Sequence, residues 1–208
     1  MLECGDGLIT DSETGTEVRA PAEGEAEAVE RVLGSAFIRN PLVRLLFGSN
    51  PRLERLVRLN RWLTRTSHVH QLVAIREGRV AGVLKYADHP HCEPSGGNLW
   101  RFIGDTFSAL RWRALPFLFF ELLGGDHPEW HHRHLIIVGV DPAFHGQGVG
   151  SALIGRFLEL ADEDVVPTIL ETDTADALRL YERFGYRVRR KSGFRGFTVW
   201  YANRNVGG

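Results

Sequence analysis

Three glycines, Gly146, Gly148 and Gly150, stand at alternate positions directly after an apolar run (135–140) and directly before an amphipathic stretch (152–162). Strand, glycine-rich turn and helix in that order make a grip for phosphate. Glycine lets the backbone come close to a ligand, so that several N–H groups point at one place. The helix N-terminus adds partial positive charge, and a diphosphate can bind there without a lysine. Spelling excludes two common phosphate loops. A nucleoside-triphosphatase loop ends in Gly-Lys-Ser/Thr, and no lysine follows these glycines. A dinucleotide fingerprint reads G-x-G-x-x-G early in a βαβ unit. This loop reads G-x-G-x-G and lies late in the chain.

The spelling V-x-P-x-x-H-G-Q-G-V-G-S-A-L, from Val140 to Leu153, resembles the coenzyme A loop of the GNAT acetyltransferase superfamily, which usually reads Q/R-x-x-G-x-G/A. A second stretch, A-L-R-L-Y-E-R-F-G-Y from Ala177 to Tyr186, follows an apolar segment at 168–171 and is similar to that family's A-x-x-L-Y-E-x-x-G-F helix and turn. Both motifs occur in the family's order and separation. Ala36-Phe37, Asn40-Pro41, the 51–65 segment, His127-Pro128 and the 166–172 segment together look like the puromycin N-acetyltransferase group. Two positions depart from the pattern: His145 replaces Gln or Arg, and Thr174 stands where many members carry Asn.

The resemblance implies acetyl-CoA as co-substrate and an amine as acceptor. It assigns the cofactor to Val138, Gly139 and Val140, to the loop His145, Gly146, Gln147, Gly148, Val149, Gly150 and Ser151, and to Thr174. The family's strand turns outward at Val138-Gly139-Val140 and offers a backbone N–H to the thioester carbonyl. Gly139 suits such a bulge, and equally suits plain close packing. Tyr181 falls where the family's tyrosine protonates the departing sulfur; a phenol still holds its proton near neutral pH. The alternative for Tyr181 is a buried anchor between helix and sheet. Glu171, at the C-terminal end of an apolar strand where open sheets place ligands, is the candidate base, with Asp173 and Glu121 in reserve.

The surrounding elements must hold these groups. Residues 17–20 read as a first strand and 22–38 as a helix, with Val29, Val32, Leu33 and Phe37 at helical spacing. Pro51 opens another helix, whose Arg55, Arg58, Arg61 and Arg65 share one side and read as a solvated face. Segments 70–76 and 79–86 flank Glu77-Gly78 as a hairpin. Residues 99–123 read as mostly helical, broken at Pro116, within a 99–130 insertion that resembles a lid. Segments 186–191 and 197–201 close the chain as a hairpin.

The expected fold is α/β: a mixed twisted sheet of six or seven strands with helices on both faces, splayed between the fourth and fifth strands, at 135 and 168. Residues 1–16 read as a disordered tail and 17–204 as one domain. The chain has 208 residues, 43% hydrophobic, and a net charge of −1, which gives no field for nucleic acid. Segment 114–123 is too short and too interrupted to span a membrane. Cys4 and Cys92 imply no disulfide framework, and a cytoplasmic protein, with homodimerisation open, is expected. His89, His91 and Cys92, and separately His127, His131, His132 and His134, lack zinc-site spacing, and no metal is expected. The leading expectation is N-acetylation of a small amine, such as an aminonucleoside, by direct ternary-complex transfer. Protein or peptide N-acetylation and a non-catalytic acyl-CoA-binding module are the rivals.

Overall fold

The computed structural model describes residues 9–11, 15–54, 56–57, 68–92, 128–194 and 197–207. Among the described residues, eight strands form one sheet in the order β1-β2-β3-β4-β5-β6-β8-β7. They are β1 Ile9–Asp11, β2 Thr16–Arg19, β3 His70–Arg76, β4 Arg79–Asp88, β5 Arg133–Val140, β6 Thr168–Thr172, β7 Arg187–Phe194 and β8 Phe197–Arg204. Every pair is antiparallel except β5 and β6, which run parallel. Counted from β2 the sheet has seven strands, and its fourth and fifth are the parallel pair. The sequence reading did not expect β1: Ile9–Asp11, inside the stretch read as a tail, pairs with Thr16–Val18.

The described residues include the helices α1 Ala26–Phe37, α2 Pro41–Phe47, α3 Val149–Glu163 and α4 Ala175–Arg183, of which α1 and α3 pack against the sheet from opposite faces. Alternation along the strands sends Val73 and Val83 to the α1 face, and Ala74 and Leu84 to the α3 face. α3 buries Val149, Leu153, Ile154, Phe157, Leu158 and Ala161, one stripe at helical spacing. α2 begins at an Asn-Pro pair: Asn40 Oδ1 accepts from the Val43 N–H at 3.1 Å, and Pro41 takes the first helical position.

Two glycines on adjacent strands let the helices approach from both sides. A Cβ on Gly82 would stand 2.8 Å from Val149 and 2.9 Å from Leu153 of α3; one on Gly139 would meet Leu33 at 2.9 Å and Ala36 at 3.1 Å on α1. The far end of α3 is clamped by buried arginines. Arg204 donates to both carboxylate oxygens of Asp162 at 2.8 Å, and Arg133 joins Asp88 (2.7 Å) to Asp164 (2.9 Å). Bidentate and charge-assisted bonds of this kind fix orientation as well as position. The N-terminus of α3 is thereby aimed at the end of β5.

No helix among the described residues is long and apolar enough to cross a membrane. The arginines Arg55, Arg58, Arg61 and Arg65, the reserve Glu121, His127 and the insertion up to residue 127 lie outside the described residues.

The packing separates two glycine substitutions. Gly139→Ala should destabilise by about 1–3 kcal/mol through overpacking against α1. Gly155→Ala, mid-helix in α3 with nothing within 4 Å of the new Cβ, should stabilise by about 0.5–1 kcal/mol. Urea unfolding of both variants checks the opposite signs.

Candidate active site

β5 and β6 pair only through Arg133–Leu135 and Thr168–Leu170, after which no β6 residue stands in register with β5. The parting coincides with an irregularity in β5. Tyr86 lies opposite Leu135 but Lys85 opposite Ile137, so Ile136 is an extra residue. A bulge bends its strand and sharpens the local twist. Ile136 is correspondingly 43% exposed. Of the two readings open for Gly139, bulge and close packing, the geometry favours packing: the extra residue sits three residues earlier, and α1 lies against Gly139.

The register also determines which amides face the gap. Asp141 N–H donates to the Ala81 carbonyl of β4 at 2.8 Å. Strand alternation then turns Gly139 toward β4 and presents the N–H groups of Val138 and Val140 to the side that β6 has left. Beyond Val140, Asp141 caps a short 3-10 turn, Pro142–Phe144, by accepting from Ala143 N–H at 2.9 Å. Gly146 and Gly148 take φ of +73° and +81°, in the left-handed region that favours glycine. Gly148 is the N-cap of α3 and supplies no side-chain cap. The first-turn N–H groups, at Val149, Gly150 and Ser151, have no acceptor within the helix and form a ready anion site.

Side chains brace this loop. Gln147 Nε2 donates to the Ala143 carbonyl at 3.1 Å, and Arg76 Nη1 donates to the Gln147 carbonyl at 3.1 Å. His145 turns back, its Nε2 donating to the Val140 carbonyl at 3.0 Å. Thr174 caps α4, its hydroxyl oxygen accepting from Ala177 N–H at 3.4 Å, which leaves its O–H proton for another partner.

The candidate acid and base lie on opposite faces of the sheet. Tyr181 packs with Leu135, Leu170 and Phe157 on the α3 face, its ring edge-on to Tyr186 at 5.8 Å. Burial pushes its phenol up to about 12, so the proton stays on oxygen. Glu171, next along β6 from Leu170, points to the α1 face, where its Oε2 lies 2.8 Å from His134 Nε2. Burial alone would lower His134. The Glu171 carboxylate and the Cys92 thiol outweigh it, and His134 is raised from 6.5 to about 9. Glu171 therefore faces an imidazolium at neutral pH.

The same face holds buried Lys85, lowered to about 8 by burial against the opposing pull of Glu30. Asp173 accepts from Asn40 Nδ2 at 3.2 Å, joining the start of α2 to the end of β6. His132 is fully buried: its Nδ1 donates to the Trp130 carbonyl at 2.7 Å, and Cys92 Sγ stands 3.4 Å from its Nε2. Among the described residues no group of three or more His, Cys, Asp or Glu is arranged to hold a metal ion. The sequence reading found the loop, Tyr181 and Glu171 as separate features. It missed the His134–Glu171 pair, the bulge and Arg76, none of which has a local spelling.

This sheet, parted beside an amide-lined loop, is the setting in which the sequence matches the Acetyltransferase (GNAT) family over residues 39–186, more than half of the chain. The chain belongs to that family. It is 36% identical over 84 residues to N-alpha-acetyltransferase RimI of Mycobacterium tuberculosis, covering 37% of this chain and 52% of that protein. It is 31% identical over 119 residues to mycothiol acetyltransferase of Brachybacterium faecium, covering 51% and 35%. The matched segments thus span about half or less of these curated relatives. In fold it is similar to a histone acetyltransferase HPA2 and related acetyltransferase from Corynebacterium glutamicum, with TM-score 0.67 at 18% identity over 92% of this chain and 96% of that one. It is also similar to arylalkylamine N-acetyltransferase 2 of Aedes aegypti, with TM-score 0.64 at 14% identity over 92% and 99%.

The pair His134–Glu171 has a pH signature. A histidine raised in the folded state gives stability that is complete below 6.5 and is lost as pH climbs through about 9. The urea midpoint should fall across that window in the native chain, and Glu171→Gln should flatten the fall. An equally steep fall in the variant would contradict the pairing.

Proposed function

We propose that this chain transfers an acetyl group from acetyl-CoA directly to the amine of a small molecule. The observation that carries the reading is the conjunction of gap and cradle. Free first-turn amides at Val149–Ser151 suit a diphosphate, and the Val138 and Val140 amides line the opening where β5 leaves β6. When bound, acetyl-CoA supplies an acyl thioester. Val138, beyond the bulge, donates its N–H to the thioester carbonyl, a preorganised backbone donor of the kind worth about 3–4 kcal/mol. The Gly146 to Ser151 amides hold the phosphates, and Thr174 retains a hydroxyl proton for the pantetheine arm.

On the α1 face, Glu171 receives the amine's proton with His134 beside it. The pair keeps the carboxylate oriented. On the α3 face, Tyr181 donates to the departing sulfur. A phenol near 12 is a weaker acid than a thiol near about 8.5, so it stabilises the thiolate by a hydrogen bond more readily than by full transfer.

The resemblance of the 36–41 and 166–172 segments to puromycin N-acetyltransferases supports aminonucleosides as the first acceptors to try. A second reading is favoured by the RimI match: N-terminal acetylation of a peptide. Mass spectrometry of amine and peptide panels incubated with the pure protein and acetyl-CoA distinguishes them. Acetylated small amines support the first reading, acetylated peptide termini the second. Unmodified panels with intact acetyl-CoA binding would mean a non-catalytic module.

Tyr181→Phe keeps the ring and removes the donor. Turnover should fall about 10²-fold or more while the KM for acetyl-CoA changes little. Equal turnover in the variant would remove Tyr181 from the reaction.

A further inference from the structure

The loop from Asp141 to Ser151 contains neither lysine nor arginine, and at the position where the family has Gln or Arg it has His145, turned back onto Val140. Cations reach the loop from a different element. The β3–β4 hairpin closes through Glu77 and Gly78, both at positive φ (52° and 68°), the two-residue turn that matches strand twist. That turn sets Arg76 directly opposite Arg79 on the α3 face of the sheet. Like charges directly opposed across a strand pair repel. Among the described residues neither guanidinium is in an ion pair, although Glu77 stands between them in the chain.

Both arginines approach the phosphate loop. Arg76 Nη1 donates to the Gln147 carbonyl at 3.1 Å and to Thr16 Oγ1 at 3.4 Å. Arg79 lies over the Phe144 ring, 5.2 Å from its centroid. A guanidinium has five N–H donors, and the contacts of Arg76 use only Nη1, leaving Nε and Nη2. An anion at the loop would satisfy those donors and relieve the repulsion between the two arginines.

We propose that Arg76, with Arg79 beside it, is a phosphate-binding residue for the acyl-CoA co-substrate, supplying from the β3–β4 hairpin the charge that the loop lacks. The inference rests on the acyltransferase reading and deepens it. The shared chemistry is a phosphate monoester or diphosphate, and coenzyme A carries both, in its ribose 3′-phosphate and its diphosphate bridge.

The test is calorimetric titration of the native chain, Arg76→Gln, Arg76→Lys and Arg79→Gln with CoA and with 3′-dephospho-CoA, at two salt concentrations. Arg76→Gln should raise the Kd for CoA about tenfold and lower its salt dependence. Arg76→Lys should restore part of the affinity, and the exposed Arg79→Gln should weaken binding a few-fold. A loss seen with CoA but absent with 3′-dephospho-CoA assigns the contact to the ribose phosphate; an equal loss with both assigns it to the diphosphate. Either supports the proposal. Unchanged affinities in folded Arg76→Gln would overturn it while leaving the acyltransferase reading intact. So would an equal loss of kcat/KM with S-acetylpantetheine, which has no phosphate, since Arg76 would then only brace the loop. Failure of the native chain to bind CoA would overturn both.

Discussion

The structure depends on two parallel strands that begin as neighbours and then separate. Arg133–Leu135 and Thr168–Leu170 are joined in register, and the extra residue at Ile136 carries β5 away from β6. Strand amides at the parting lose their ladder partners, which would be costly if they were buried dry. A gap that admits a polar ligand resolves that cost, and the ligand then meets amides in fixed positions. Tyr181 lies on one face of the sheet and Glu171 on the other.

Rigidity around the gap comes from close packing on both faces. Gly82 and Gly139 allow α3 and α1 to press against adjacent strands, so β4 and the end of β5 are held from two directions. Arg133 and Arg204 hold the C-terminal end of α3 by its aspartates, leaving its uncapped N-terminus at the loop. Helix orientation, strand bulge and loop conformation are thus one mechanical unit. The pair His134–Glu171 crosses the root of the gap within it, tying β5 to β6 by charge just where their hydrogen bonding stops.

What the sequence made legible follows its local chemistry. The loop is readable because the left-handed backbone at Gly146 and Gly148 demands glycine. The 70–76 and 79–86 strands are readable because a two-residue turn sets their register. The bulge is not readable: it falls within Leu135-Ile136-Ile137-Val138, four apolar residues with no glycine to mark it. Gly139 left two readings open because close packing and strand distortion select the same residue. The partner of Glu171 is also hidden, since His134 lies 37 residues away across a parallel crossover. β1 gave no signal because three residues carry too little periodicity to distinguish a strand from a tail.

The central claim is that the main-chain amides of the loop and the parted strand receive an acyl-CoA. Amide chemical-shift mapping of the isotopically labelled protein during titration with CoA tests it most directly. The account predicts saturable shifts concentrated at Gly146, Gly148, Val149, Gly150 and Ser151 and at Val138 and Val140, with the β7–β8 hairpin unmoved. Saturable shifts located elsewhere, or no shifts at millimolar ligand, would contradict it.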